Sequence, residues 1–436
     1  MSYEPYPAYK DSGVPWLGLV PEGWRIVRSD AVVRSLKNTI EKSAFEDELV
    51  YHYSIPVVQE TGEGQIEEGA SIQSSKLLID RTKLLVSKLN PRKATICLAR
   101  PWEDLVTVAS SEFVPLEVSR SLNEQFAFYF WNSESVRQDL DSRVQSVTRS
   151  HQRVDPKDIS KIILALPPIE EQAAIARFLD EKAADIDKLI GKKEELLRLL
   201  AEQRTALITH AVTKGLNPDA PMKTSGVVWF DQVPAHWQVR RLKDVGTLTG
   251  GAGFPHEFQN AQGEELFFYK VGDLAKSEDG IHLTSAPHTI DRETAAKLRA
   301  AVIPPDAILY AKIGAALLIN RRRISTANCC IDNNMTAWIV DPSKVLPLWG
   351  FFWMSTLDFG EHTNPGAVPS LSEGYQSILP IALPPLEEQQ AIVDQLVIET
   401  NAIDLTVKKT GEAIERLREY RTAIITNAVT GKIKVA

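Results

Sequence analysis

The sequence is poor in the residues that most often carry chemistry. Among 436 residues there are three cysteines, Cys97, Cys329 and Cys330. The count is odd and sequence neighbours rarely pair, which indicates reduced thiols in a cytoplasm and no metal framework. Eight histidines are scattered along the chain. No H-E-x-x-H or C-x-x-C gathers metal ligands, and no G-x-x-x-x-G-K-[ST] supplies a phosphate cradle. The Asn-Pro pairs continue as Asn90-Pro91-Arg92, Asn217-Pro218-Asp219 and Asn364-Pro365-Gly366, so the N-P-P-aromatic loop used by adenine methyltransferases is missing. Gly250-Gly251-Ala252-Gly253 lacks the spacing of a dinucleotide fingerprint. No apolar run approaches the length of a membrane span. The start, MSYEPYPAYKDSG, lacks a secretory pattern. The expectation is a cytoplasmic chain with no catalytic residues, no metal and no cofactor of its own.

A net positive balance is also missing from every segment. The net charge is −8, divided as −3 over 1–165, −1 over 166–218, −3 over 219–382 and −1 over 383–436. Bulk charge therefore argues against nucleic acid. Any such binding has to rest on local patches.

What the chain has is repetition. LPPIEEQAAI at Leu166–Ile175 returns as LPPLEEQQAI at Leu383–Ile392, with 8 of 10 positions identical at an offset of 217. RTALITHAVT at Arg204–Thr213 returns as RTAIITNAVT at Arg421–Thr430, again 8 of 10 at the same offset. SGVPWLGLVPEGW at Ser12–Trp24 returns as SGVVWFDQVPAHW at Ser225–Trp237, with 7 of 13 identical at offset 213. Between these blocks the halves differ. Two similar frames with dissimilar inserts suggest a pseudo-dimer that reads two different things.

Each LPP site starts a helix. The paired prolines cannot continue a preceding element, and two glutamates then fill the first turn, where the helix dipole favours acid. Apolar residues follow at helical spacing: Ile175, Leu179, Ile186, Leu189, Leu196, Leu200 and Leu207, then Ile392, Leu396, Ile403, Leu417 and Ile424. Neither stretch contains an internal proline, so each is read as a helix of roughly 44 residues, about 65 Å long. A single apolar stripe needs a partner. The other copy is the expected one, in an antiparallel coiled coil with Ile175, Leu179, Ile186, Leu200, Leu207, Ile392, Leu396, Ile403, Leu417 and Ile424 at the seam.

The fold expected is α/β: two α/β domains, 1–165 and 219–382, alternating with a central helix, 166–218, and a C-terminal helix, 383–436, as a pseudo-twofold internal repeat. Strand-like runs are Lys83–Leu89, Ala94–Ala99, Val106–Ala109, Ile308–Ala311 and Thr336–Val340. Asn123–Leu140 and Leu346–Ser355 read as helical, and Glu60–Gly69 and Gly250–Gly263 as loops.

Donor-rich clusters recur at comparable places in both inserts. In the first they are Lys88, Asn90, Arg92 and Lys93, then Thr148, Arg149, His151, Gln152 and Arg153 just before the first LPP. In the second they are Lys270, Lys312, Arg321, Arg322, Arg323, Asn333 and Asn334. Arginine and lysine suit phosphates, while arginine, asparagine and glutamine suit base edges. Any one cluster alone could be a solvated loop; recurrence in both halves favours DNA.

At this point the chain resembles the specificity subunits of Type I restriction–modification systems. The resemblance is carried by Ser12-Gly13-Val14, Trp16, Pro21 and Trp24, echoed by Ser225-Gly226, Trp229, Pro234 and Trp237. Phe268–Leu274 and Ile308–Gly314 resemble stretches of their recognition domains. The LPP entry and RTA exit of each long helix complete the match, and together these motifs span both halves. The resemblance implies that each insert is a target-recognition domain for one half of a split site in double-stranded DNA, and that the helices set the distance between half-sites. It implies no catalysis in this chain. The partners would be two methyltransferase subunits using S-adenosylmethionine, and restriction subunits using ATP and magnesium to translocate and cut. Two departures stand out. The first half has no clear counterpart to Lys270–Leu274, the nearest piece being Tyr53-Ser54-Ile55-Pro56. The cationic stretch Thr148–Arg153 faces an uncharged Ala367–Ser372 in the second half. The competing expectation is a coiled-coil adaptor that binds proteins and no DNA, which the acidic balance favours.

If the helices act as a ruler, one extra helical turn after Leu200 adds roughly 5 Å. With base pairs stacked at about 3.4 Å, the preferred spacer grows by one or two base pairs, as methylation mapping of the insertion variant would read. An unchanged spacer contradicts the ruler.

Overall fold

The computed structural model describes residues 3–144, 152–363 and 368–435. Two helices dominate, Ile169–Lys214 with 46 residues and Leu386–Val429 with 44. Both begin directly after a Pro-Pro pair. Each is followed by a glycine at positive φ, Gly215 at 76° and Gly431 at 72°, the conformation that ends helices readily.

The chain forms two compact units, Met1–Glu194 with Gly411–Ala436, and Glu195–Thr410. Each unit holds one insert, the start of one long helix and the end of the other. In the first unit Arg421 donates to both carboxylate oxygens of Asp187 at 2.9 and 3.1 Å. Arg418 Nη2 donates to Glu194 Oε1 at 3.0 Å. The number rises along one helix as it falls along the other, so the segments run antiparallel. In the second unit Arg204 donates to Asp404 at 3.0 and 3.3 Å. Asp187 and Asp404 are 217 residues apart, as are Arg204 and Arg421. The same fork pairing is thus made twice with the copies exchanged, as a pseudo-twofold repeat requires. Such exposed pairs contribute under about 1 kcal/mol each; their two-point geometry fixes register.

The apolar seam is mostly as the periodicity indicates. Ile175, Leu179, Ile186, Ile392, Leu396, Ile403 and Ile424 are buried, and Leu200, Leu207 and Leu417 are half-buried. Leu189 and Leu196 are exposed instead, while Ile208 and Ile414 are buried. Part of the stripe covers its own insert. Ile175, Ala176 and Leu179 share a core with Leu164, Phe126 and Trp24, which Ile424, Ile425 and Val429 also enter. In the second unit Ile392 and Leu396 join Ile381, Trp237 and Phe352, together with Ile208 and Val212.

The repeated EEQ triplet explains how helix and insert are locked. Glu171 Oε1 accepts the indole N–H of buried Trp24 at 3.2 Å, and Glu388 Oε2 accepts that of buried Trp237 at 3.1 Å. The next residue is a fully buried glutamine in both copies. Gln172 donates to Ser121 O and Pro167 O and accepts from Asn123 N. Gln389 donates to Lys344 O and Pro384 O and accepts from Leu346 N. Asn123 and Leu346 each precede the helix that packs behind the sheet, Glu124–Trp131 or Pro347–Ser355.

The inserts share a topology that their sequences hide. In the first, the strand order is Ile96–Ala99, Lys83–Ser87, Phe113–Val118, Val33–Ser35, all antiparallel. In the second it is Arg322–Ser325, Ile308–Ala311, Met335–Val340, Gly246–Gly250. A further sheet in each contains one parallel pair, Leu49–Tyr53 with Val106–Ala109, or Leu266–Tyr269 with Cys329–Ile331. Tyr53-Ser54 therefore occupies the topological place of Tyr269-Lys270. Two expectations need correcting. Gln65–Glu68 is a strand on Leu49–His52 within the stretch read as a loop; being largely exposed, it lacks apolar alternation. Asn123–Leu140 is broken at Asn132, and the buried Ser133 donates back to Phe130 O at 2.7 Å.

Replacing Gln172 or Gln389 with alanine leaves three backbone groups unpartnered at a buried junction, at about 1–3 kcal/mol per group. Each variant should melt at least roughly 4 °C lower by calorimetry. A variant as stable as the parent would contradict the junction's role.

Candidate nucleic-acid interface

The donor clusters gather at one end of each insert, where hairpin turns meet the segment leading into the long helix. In the first insert Lys88 N donates to Glu112 O, and Lys88 O accepts from Val154 N, both at 3.0 Å. Asn90 N donates to Gln152 O at 2.7 Å, and Leu89 bridges Arg153. Three chain segments thus bring Lys88, Asn90, Gln152 and Arg153 together. Asn90 sits in the left-handed region at φ 49°, which asparagine tolerates. Arg92 lies beside this group, its Nε on Asp141 at 2.8 Å. Lys93 is exposed and has no ion pair among the described residues. Thr148, Arg149 and His151 lie outside the described residues.

The second insert repeats the scaffold. Lys312 N donates to Asn334 O at 2.8 Å, and Lys312 O accepts from Leu371 N at 2.9 Å. Ile313 bridges Ser370 as Leu89 bridges Arg153. Lys88 and Lys312 are therefore structural equivalents. So are Glu112 and Asn334, and so are Arg153 and Ser370. Asp332 N donates to Tyr269 O, which sets Lys270 beside Asn333. The glycine-rich loop closes this group. A Cβ on Gly251 would lie 2.0 Å from Asp332 O, so close backbone approach accounts for that glycine.

Several of the cations are held by acids, amides or backbone carbonyls, Lys88 Nζ donating to Ser111 O at 3.0 Å. Lys312 Nζ lies 3.0 Å from Glu373 Oε1, and Lys270 Nζ is 3.0 Å from Gln259 Oε1. Arg153 donates to Glu112 Oε1 at 2.9 Å, and Lys88 Nζ lies 3.9 Å from Glu112 Oε2. That Oε2 is buried and accepts no hydrogen bond among the described residues. Glu112, Glu373 and Gln259 escaped the sequence reading, since each is remote in sequence from the cation it meets.

Arg322 is a correction. The run Arg321–Arg323 opens a strand, so successive side chains point to opposite faces. Arg321 is exposed, Arg323 half-buried and Arg322 only 3% exposed. The Arg322 guanidinium donates to Leu357 O and to Asn320 O, and lies 4.1 Å from the centre of the Phe359 ring. Burial pulls its pKa down to about 10. It holds the fold and leaves Arg321 as the outward cation of the run.

All three cysteines are buried and free. Burial pushes the Cys97 and Cys329 thiols up to about 12 and that of Cys330 to about 11, so none is a ready nucleophile. Among the described residues no group of three or more His, Cys, Asp or Glu side chains is placed to hold a metal. Among the described residues no helix is long and apolar enough to cross a membrane.

Comparison with known proteins converges on one family. The model of the Type I restriction modification DNA specificity domain matches residues 21–198 and again 234–416. The Type I restriction enzyme MjaVIII specificity subunit of Methanocaldococcus jannaschii is 22% identical over 431 residues, covering 95% of this chain and 94% of the relative. A chain from a structural study of complex assembly and conformational transition in the type I R-M system aligns with a TM-score of 0.75 at 18% identity, covering 94% and 98%. The HsdS subunit of Thermoanaerobacter tengcongensis aligns at 0.54 and 19%, covering 95% and 98%.

Arg322→Ala removes the donors to two carbonyls and the cation over Phe359. It should lower the melting temperature by several degrees, whereas Arg321→Ala should stay within about 0.5 kcal/mol of the parent. Equal melting of the two variants would overturn the assignment.

Proposed function

The chain belongs to the family of Type I restriction–modification DNA specificity domains, and on that premise we propose that it reads the DNA site for a methyltransferase and nuclease complex. Each insert reads one half of a split site. The observation that carries this is the equivalence of Lys88 with Lys312 on identical scaffolds whose neighbouring side chains differ, Glu112 and Arg153 against Asn334 and Ser370. A shared lysine serves what all DNA has in common. The differing neighbours serve what distinguishes one sequence from another.

Phosphate binding comes from Lys88, Arg92, Lys93 and Arg153 in one domain, and from Lys270, Lys312 and Arg321 in the other. Several of these are held beside carboxylates, so a phosphate competes with an internal acid for the same cation. That competition lowers non-specific affinity and suits a reader with a net charge of −8. Asn90, Gln152, Asn333 and Asn334 offer paired donor and acceptor groups to base edges. The chain itself performs no catalysis. Its partners are two methyltransferase subunits using S-adenosylmethionine and restriction subunits using ATP and magnesium, in the cytoplasm.

In the methyltransferase-bound complex, exchanging residues 25–165 for another recognition domain should change one half-site in methyladenine maps and leave the other intact. A change in both would sink independent reading, and a complex that enriches no motif from random DNA would point to the protein adaptor. Lys88→Ala and Lys312→Ala should each flatten the slope of log affinity against log salt by about one. Asn334→Ala should cost about 1–3 kcal/mol at one position of the second half-site.

A further inference from the structure

The two inserts differ at one sheet edge. Leu98 pairs with Leu84, four residues before Lys88, and Ile324 pairs with Ile308, four before Lys312. Leu98 and Ile324 are thus equivalent. In the second insert the outer side of Arg322–Ser325 is covered by His282–Leu283 running parallel. Ile324 N donates to Ile281 O at 2.7 Å and Thr326 N to Leu283 O at 3.3 Å. The Tyr269 hydroxyl donates to the same Leu283 carbonyl at 3.2 Å.

In the first insert Ile96–Ala99 pairs only with Lys83–Ser87 among the described residues. Ser87 N donates to Thr95 O, so Thr95, Cys97 and Ala99 turn their backbone inward, and Ile96 and Leu98 present theirs outward. Tyr53, in the place of Tyr269, has no carbonyl of an added strand to meet. Arg100 N donates to its hydroxyl at 3.1 Å instead. Beside this edge lies a cavity of about 680 Å³ lined by Tyr51, Tyr53, Leu98, Trp102, Gln125 and Phe128. Tyr51 and Trp102 stack with centres 4.3 Å apart, and Trp102 is 48% exposed. Glu63 and Glu103 outnumber Arg100 at the rim. The connection that supplies the extra strand in the second insert, Val271–Ala275 and then His282–Leu283, is shorter in the first, where the helix Ile55–Thr61 leads directly to the strand Gln65–Glu68.

We propose that this slot docks an extended segment of a partner protein, added as a parallel strand outside Ile96–Ala99. The segment places one apolar side chain against Tyr51 and Trp102 and a cation near Glu63 and Glu103. Its carbonyls take the N–H group of Leu98 and, in exchange for the Tyr53 hydroxyl, that of Arg100, as those of Ile281 and Leu283 take their equivalents. The acidic rim selects a basic segment. The inference is independent of which DNA is read.

The test titrates the full chain, by calorimetry, with a peptide copying Gly280–Ser285 preceded by lysine. Saturable one-to-one binding is expected. Binding should weaken at least tenfold when the peptide is N-methylated at its leucine, whose backbone faces the neighbouring strand, and likewise for the Trp102→Ala chain, whose melting temperature should match the parent. No binding, or binding indifferent to both changes, overturns the proposal. Self-association of the chain that Trp102→Ala abolishes would overturn it too, by making a second copy the occupant.

Discussion

A buried glutamine at the start of each long helix is the constraint on which the rest depends. A helix that begins at Pro-Pro leaves carbonyls and amides at a junction closed to water. Gln172 and Gln389 satisfy three of these groups each, and the preceding glutamate holds the frame tryptophan. The helix, the frame and the helix behind the sheet thereby become one rigid piece. With that piece fixed, the loops at the far end of the hairpins are free to vary without loss of the fold. The proposed reading surface sits in those loops, whose side chains the scaffold does not need.

Electrostatics at the reading ends follows the same division. The backbone around Lys88 and Lys312 is set by identical hydrogen bonds, yet each lysine answers to a carboxylate from a different place, Glu112 or Glu373. An acidic protein can thus carry cationic contacts that are fully used only when phosphate displaces the internal acid. On the proposed reading the half-site preferences depend on side chains at positions such as Glu112 and Asn334, which are equivalent and differ in chemistry.

The long helices were legible because their signals are local: proline, then acid, then period. Their register was not read from sequence: it is fixed by Asp187 with Arg421 and Asp404 with Arg204, pairs whose members are far apart along the chain. What stayed hidden depends on contacts distant in sequence. Arg322 reads as one of three surface cations until a strand turns it inward onto Leu357. Tyr53 shows little likeness to the Tyr269 stretch until both are seen to end a strand paired in parallel. The residues that restrain the cations lie as far away as Glu373 from Lys312. Donor clusters were legible in both inserts, but the segments before the two long helices share topology and not charge, as Arg153 and Ser370 show.

The central claim is that one duplicated frame presents two different readers to two halves of one DNA site. The most direct measurement is genome-wide mapping of methyladenine in cells with and without this chain, the methyltransferase partner being present in both. The account predicts a split motif of two unlike halves that vanishes when the chain is removed. Methylation that persists without the chain, or a continuous motif in its presence, would contradict it.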